Sequence, residues 1–155
     1  MFIQPVTGYR KVVTPAFRSQ AENPLLKQSD ITRLDSKLVI GRAPGACRYE
    51  NHQYKINSNI LDKDLQFLKS NYNVDTLIDL RAGHIEGNEI TKEANAAKKA
   101  GMTYLNLQMD GAIAPKPDEL KSFFNTIDKA KGNVYLHCHM GHDLSLIHIS
   151  EPTRH

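Results

Sequence analysis

The chain has 155 residues, of which 40% are hydrophobic and 24% are charged. This length predicts one domain, which can bury a core without disulfides or metals. A formal net charge of +3 is too small to indicate a nucleic-acid-binding protein. No apolar run is long enough to span a membrane, and the first twenty residues lack the pattern of a signal peptide. Cys47 and Cys138 lie in unlike sequence surroundings, so we expect no disulfide framework and a reducing, cytoplasmic location.

The first part of the chain shows little periodicity. Residues 1–36 are polar and contain three prolines, which predicts an irregular N-terminal arm. Residues 37–41, KLVIG, form a short apolar run that ends at a glycine, and this pattern predicts a strand. Residues 42–59 are loop-like. We therefore expect the folded domain to begin at residue 37.

From residue 61 onward, helical and strand patterns alternate. Leu61, Leu65 and Leu68 would share one helical face. The predicted elements are helices at 61–72, 86–101 and 116–132 and strands at 74–80, 102–108 and 133–138. This alternation predicts an α/β fold with a largely parallel central sheet flanked by helices. Such sheets bind ligands beyond the carboxyl ends of their strands, and Cys138 stands at one of these ends.

The last twelve residues, LSLIHISEPTRH, do not continue this pattern. Residues 144–154 resemble a translated transposase-type sequencing adapter. The alternative is an apolar strand with a polar end. We predict that 144–155 is a non-native tail and that the native sequence continues differently after Asp143.

The segment VYLHCHMGHD (134–143) carries the main chemical signal. A buried strand would deliver Cys138 to a short loop in which Gly141 permits an unusual backbone turn. A ring of backbone N–H groups binds a phosphate dianion well, and the same positive field lowers the pKa of a thiol inside it. A thiolate placed there can attack phosphorus in line and form a phosphocysteine. An ordinary buried cysteine is the alternative.

A metal site is a second alternative reading of this segment. His137, Cys138, His139 and His142 are ligand types with usable spacing. However, neighbouring side chains on a strand point to opposite faces, and no second Cys/His pair lies nearby in the sequence. We therefore predict no metal and no other cofactor.

The loop His137-Cys138-His139-Met140-Gly141-His142-Asp143 resembles the signature loop of protein-tyrosine and dual-specificity phosphatases, in the subtype His-Cys-x-x-Gly-x-Asp-Arg-Thr. The resemblance implies that Cys138 is the nucleophile, that the backbone amides of 139–143 bind phosphate, and that His137 supports the loop. The family places an arginine six positions after the cysteine, where this chain has Leu144. This departure falls on the first residue of the predicted tail, so we expect the chain as given to be nearly inactive.

The resemblance also implies a general acid, an aspartate on a loop roughly thirty residues before the cysteine. Asp110 stands at that distance, and Asp118 is the alternative, although Asp118 is more typical of the first turn of a helix. The resemblance covers residues 37–143 and includes the segment TLIDLR (76–81). Arg81 in that segment is expected to anchor a loop.

The predicted function is therefore that of a phosphomonoester hydrolase, most simply a tyrosine or dual-specificity phosphatase. Its expected partners are a phosphorylated protein or a small phosphomonoester such as an inositol phosphate, with no nucleic acid and no membrane span. A rhodanese-like sulfurtransferase also places a cysteine at the end of a parallel strand and would need no aspartate. A catalytically inactive phosphate-binding regulatory module is the third possibility.

Overall fold

The computed structural model describes residues 24–83, 85–108 and 116–139. Its strands are β1 (Ile31–Arg33), β2 (Leu38–Gly41), β3 (Arg48–Glu50), β4 (Gln53–Lys55), β5 (Val74–Asp79), β6 (Thr103–Asn106) and β7 (Asn133–His137). Its α-helices are α1 (Ser58–Tyr72), α2 (Thr91–Lys99) and α3 (Pro117–Lys129), and Gln28–Asp30 form a short 3₁₀ helix. None of these helices is long and apolar enough to cross a membrane.

Five strands form the main sheet in the order β1-β2-β7-β5-β6. Strands β2, β7, β5 and β6 run parallel to one another, and β1 pairs antiparallel with β2 at one edge. Strands β3 and β4 form a separate antiparallel hairpin. The predicted α/β fold with a largely parallel central sheet is confirmed. Strand β7, which precedes Cys138, lies in the middle of the sheet.

Local signals explain where α1 begins and ends and where α3 begins. Helix α1 begins after Asn57, whose side chain accepts a hydrogen bond from the Ile60 amide at 3.0 Å. It ends at Asn73, which has a left-handed backbone with φ 55°. Helix α3 has Pro117 in its first turn, where a missing N–H costs nothing.

The two faces of the sheet bury different sets of side chains. Helices α1 and α2 cover one face, where Leu61, Leu65 and Leu68 pack with Leu77 and Tyr135. Helix α3 covers the other face. There Phe123 and Ile127, four residues apart on one side of the helix, join a cluster of strand side chains. This cluster also contains Leu38, Ile78, Val134, Leu136 and Cys138.

Within the predicted arm of residues 1–36, the structure shows ordered packing at its carboxyl end. Residues 31–33 form β1, and Leu26 is buried in the core on the α1/α2 face. A three-residue edge strand is too short to produce a hydrophobic period, so sequence analysis missed it.

The prediction that residues 42–59 form a loop is wrong in part, because β3 and β4 lie within it. Asn51 and His52 join these strands and have φ angles of 51° and 61°. Positive φ at both central residues is typical of a tight hairpin turn, but the pair lacks the glycine that usually signals one.

The predicted helix 86–101 is shorter in the structure, where α2 spans Thr91–Lys99. Residues before it form a turn in which the Asn88 side chain accepts a hydrogen bond from the Ile90 amide at 2.7 Å. Asparagine favours such local bonds over a continuing helix.

Candidate active site

The carboxyl ends of the parallel strands meet at one edge of the sheet. In the strand register, His137 is level with Gly41 on β2 and with Asp79 on β5, and Asp79 is level with Asn106 on β6. Cys138 follows His137 directly at this edge. The sequence prediction placed Cys138 at the end of a parallel strand, and the structure places it there.

The side chains of Cys138 and His137 point to opposite faces of the sheet. Cys138 is 1% exposed and packs in the apolar cluster beneath α3. His137 is fully buried on the α1/α2 face. Neither Cys138 nor Cys47 takes part in a disulfide. The alternation along β7 therefore gives the thiol an apolar surrounding and the imidazole a polar one.

His137 contacts an oxygen atom through each of its ring nitrogens. Its Nε2 lies 2.7 Å from Oε2 of Glu93, on α2, and its Nδ1 lies 2.9 Å from the backbone oxygen of Cys138. Burial alone lowers the pKa of His137, but the carboxylates of Glu93 and Asp79 outweigh it and raise that pKa above its ordinary value.

Arg81 joins the carboxylates on this face. Its guanidinium donates to both oxygens of Asp79, from Nε at 2.9 Å and from Nη2 at 2.8 Å, and Nη2 also donates to Oε1 of Glu93 at 2.8 Å. The side chains of Arg81 and its two acidic partners are at most 1% exposed. Burial opposes the charge of Arg81, yet Glu93 and Asp79 raise its pKa, so the guanidinium stays charged.

Further hydrogen bonds hold Asp79 in place. The Tyr104 hydroxyl donates to its Oδ2 at 2.6 Å, and the side-chain amide of Asn106 donates to its backbone oxygen at 2.8 Å. Burial raises the pKa of Asp79, but His137, Arg81 and Tyr104 together lower it below the ordinary range. The carboxylate is therefore ionised at neutral pH.

Residues between Ala43 and Tyr54 contact His139 and Arg81. The Ala43 amide donates to the backbone oxygen of His139 at 3.3 Å. The Tyr54 ring lies edge-on to the His139 ring, with centroids 5.5 Å apart, and 5.6 Å from the Arg81 guanidinium carbon. Arg81 also donates to the Cys47 sulfur at 3.0 Å. Burial raises the pKa of Cys47, although Arg81 opposes this, so Cys47 is a thiol.

Asp79, Glu93 and His137 are the described residues whose ligand atoms lie close enough to hold a metal ion, all within 4.8 Å of one another. However, the Arg81 guanidinium already binds both carboxylates. A metal ion there would compete with a bidentate cation, so these residues do not fit a metal centre.

Several predicted site residues lie outside the described ranges. They are Asp110, Met140, Gly141, His142 and Asp143. Among the residues that are described, Cys138, His137 and His139 lie together at the carboxyl edge. Asp118, the alternative general acid, is exposed in the first turn of α3.

Sequence analysis missed Glu93 and Asp79 as members of this site. The apolar stretch around Asp79 predicted a buried strand, and a charged residue in such a strand signals a buried partner. Glu93 gave no comparable signal, because its sequence neighbours are typical of an exposed helix.

Comparisons with known proteins support a phosphatase. The family model described as "Tc-R-P: Polymorphic toxin system, DSP-PTPase phosphatase" matches residues 52–144, more than half of the chain. No curated protein matches the sequence. The family match gives no support to a rhodanese-like or non-catalytic alternative.

Solved structures share the fold at low identity. A DUF442 protein of Shewanella putrefaciens CN-32, described as a phosphatase, has a TM-score of 0.55 at 17% identity, with 94% of this chain and 79% of that chain covered. A protein of Neisseria meningitidis Z2491, also described as a phosphatase, has a TM-score of 0.56 at 18% identity, with 78% and 74% covered. TpbA of P. aeruginosa has a TM-score of 0.54 at 15% identity, with 89% and 74% covered.

The fold, the position of a cysteine at the end of the central strand and the family match agree with one another. The chain belongs to the DSP-PTPase phosphatase family of polymorphic toxin systems, a family of cysteine-dependent protein-tyrosine and dual-specificity phosphatases.

Proposed function

We propose that Cys138 is the nucleophile of this phosphatase. The observation that carries the proposal is its position: it follows the central strand at the carboxyl edge of the sheet, and its backbone oxygen accepts a hydrogen bond from the His137 ring at 2.9 Å. Ligands bind at this edge in open α/β sheets. A thiol that is 1% exposed is shielded from bulk solvent.

The reaction would proceed in two steps. The thiolate attacks phosphorus, so that an S–P bond forms while the ester P–O bond breaks, and the leaving oxygen takes a proton from Asp110. Water then attacks phosphorus and gives a proton to the Asp110 carboxylate, the S–P bond breaks, and inorganic phosphate leaves with the thiolate and the Asp110 carboxyl restored. The backbone amides of residues 139–143 would bind the phosphate oxygens, and His137 would hold the loop.

An arginine after Asp143 would complete this site. It would clamp two phosphate oxygens and stabilise the transition state. The family match ends at residue 144, the first residue of the predicted non-native tail, which supports the proposal that 144–155 replaces native sequence. The mechanism also needs a reduced thiol, which is compatible with the predicted cytoplasmic location.

We infer that the substrate is a phosphorylated protein, with phosphotyrosine as the preferred group. A Cys-to-Ser variant of TpbA was solved in complex with phosphotyrosine, and that structure has a TM-score of 0.50 to this chain at 15% identity. A small phosphomonoester such as an inositol phosphate is the competing substrate. Parallel assays of a phosphotyrosine peptide, a phosphoserine peptide and an inositol phosphate would separate these classes.

The test is to replace residues 144–155 by Arg-Thr-Gly and a helical tail and to measure hydrolysis of an aryl phosphate. We expect turnover that Cys138→Ser abolishes and that Cys47→Ser, the matched cysteine control, leaves largely intact. A chelator should not reduce this hydrolysis, since a cysteine mechanism needs no metal. If the repaired chain released no phosphate, or released it with Cys138→Ser, the proposal would be wrong.

The general acid can be tested in the same repaired chain. We expect Asp110→Asn to lower kcat about 100-fold or more on a substrate with a poor leaving group, because the departing oxygen then lacks its proton. Asp118→Asn is the matched control and should have little effect. A large loss of kcat in Asp118→Asn with a small loss in Asp110→Asn would assign the role of general acid to Asp118.

A further inference from the structure

The two ring nitrogens of His137 face groups that accept hydrogen bonds. A backbone carbonyl has no proton to give, and neither does an ionised carboxylate. Nδ1 therefore donates to the Cys138 oxygen at 2.9 Å, and Nε2 donates to Glu93 Oε2 at 2.7 Å. A neutral imidazole carries only one N–H, so the geometry calls for an imidazolium.

The charge balance of the buried cluster leads to the same conclusion. Asp79 and Glu93 carry two negative charges, and Arg81 supplies one positive charge. With a neutral His137, either the fully buried group would keep one uncompensated negative charge, or the proton would have to lie on Glu93, whose other oxygen already accepts from the Arg81 guanidinium. With an imidazolium, the net charge of the four side chains is zero.

We propose that Glu93 is a positioning residue of the active site, which holds His137 as an imidazolium so that its Nδ1–H fixes the Cys138 carbonyl. The proposal rests on the proposed role of Cys138. Glu93 can do this because its two oxygens serve different donors, with Oε1 bound to Arg81 and Oε2 bound to His137. It thereby links helix α2 to strands β5 and β7.

Fixing that carbonyl also fixes the direction of the next amide. The C=O and N–H groups of a trans peptide point in opposite directions, and no described peptide is cis. When the Cys138 oxygen turns toward His137, the His139 N–H, the first of the amides proposed to bind phosphate, turns away from it. The Ala43 amide holds the next carbonyl, that of His139, at 3.3 Å.

Other groups around His137 are consistent with a fixed positive charge. Asp79 Oδ1 lies 3.9 Å from Nδ1, and the Tyr135 ring lies 5.8 Å away between centroids. Burial raises the pKa of Tyr135 well above its ordinary value, so this neighbour is a neutral phenol. Arg81 is the other cation in the cluster, and Asp79 and Glu93 each approach both Arg81 and His137.

Glu93→Gln tests the proposal without leaving a buried charge unpaired. The glutamine oxygen can accept from Arg81, and its amide can donate to Nε2 of a His137 that has lost the Nε2 proton. Asp79 then balances Arg81, and His137 keeps its Nδ1–H on the Cys138 carbonyl. The variant therefore removes one ion pair, the imidazolium charge and the carboxylate charge that faces it, while it preserves the hydrogen bonds.

Ring ¹⁵N shifts of His137 in the 155-residue chain decide whether its imidazole is charged. Both nitrogens should be protonated in the wild type at neutral pH, and only Nδ1 should be protonated in Glu93→Gln. Glu86→Gln, at an exposed position, is the matched control and should leave these shifts unchanged.

A neutral His137 in the wild type would overturn the proposal, and this measurement remains available if Glu93→Gln fails to fold. An unchanged His137 spectrum in a folded Glu93→Gln variant would also overturn it. This readout does not use phosphate release. An inactive repaired chain would therefore contradict the nucleophile assignment while leaving the charge state of His137 decided.

Discussion

The two faces of the central sheet are stabilised in different ways. Beneath α3, the buried side chains are apolar except for Thr76, whose hydroxyl donates to the Lys131 backbone oxygen at 3.2 Å. Beneath α1 and α2, the core also contains all the buried acidic, arginine and histidine side chains of the described ranges. They are Asp64, Asp79, Arg81, Glu93 and His137.

This difference determines how each face responds to a substitution. An apolar cluster loses free energy in proportion to the volume removed, and its neighbours can relax. A buried charged cluster depends on every member, because removing one leaves another without a partner. The end of strand β7 contacts both faces. The Cys138 side chain, directly after the strand, packs beneath α3, while the Cys138 carbonyl accepts a hydrogen bond from His137 on the other face.

The largest effect is expected when the charged cluster loses its guanidinium. Arg81→Met keeps the length of the side chain but leaves Asp79 and Glu93 without their shared cation. We expect the free energy of unfolding at pH 7 to fall by about 3–5 kcal/mol, as measured by urea denaturation. Arg48→Met is the matched control. Arg48 pairs with Glu50 at 3.4 Å with a side chain that is 68% exposed, so a change below about 1 kcal/mol is expected. Equal losses in the two variants would contradict the contrast between buried and exposed charge.

A smaller loss is expected on the apolar face. Ile127→Ala removes a fully buried side chain of α3 and should lower the free energy of unfolding by about 2–4 kcal/mol. Asn125→Ala, at an exposed position on the same helix, is the control for helix propensity. The loss should be the same at acidic and neutral pH, because no charge is involved. A strong pH dependence would mean that the two faces are coupled.

The contrast between the faces also marks what the sequence could predict. Apolar periodicity located α1, α3 and the parallel strands, because burial of one side leaves a repeating pattern. The pattern of residues 133–138 also placed Cys138 at a strand end. Pairing between charges leaves no such pattern. The sequence suggested that Asp79 lies in a buried strand and Arg81 near a loop, but nothing in it indicated that Glu93 bridges Arg81 to His137.

The stability contributed by the charged face should depend on pH, whereas that of the apolar face should not. The pKa of His137 is raised in the folded state, so its contribution is complete below its unfolded pKa of about 6.5 and is lost as pH rises through the folded value. Between these two values, the free energy of unfolding should fall by about 1.4 kcal/mol per pH unit from this group. Denaturation of the wild type and of Glu93→Gln over this range is the measurement. The slope should be smaller in Glu93→Gln, whereas Ile127→Ala should keep the wild-type slope. Identical slopes in the wild type and in Glu93→Gln would contradict the conclusion that Glu93 raises the pKa of His137.

The smallest effect is expected for an ion pair on the same face that lies in solvent. Lys99 on α2 approaches Asp62 on α1 at 3.3 Å, with side chains that are 74% and 45% exposed. Water screens this pair, so Asp62→Asn should change the free energy of unfolding by no more than about 0.5 kcal/mol, and high salt should remove even that change. A loss comparable with that of Arg81→Met would show that charge near α1 and α2 stabilises the fold regardless of burial. A negligible loss would show that burial accounts for the sensitivity of the charged face, because both pairs join a basic and an acidic side chain at similar distances.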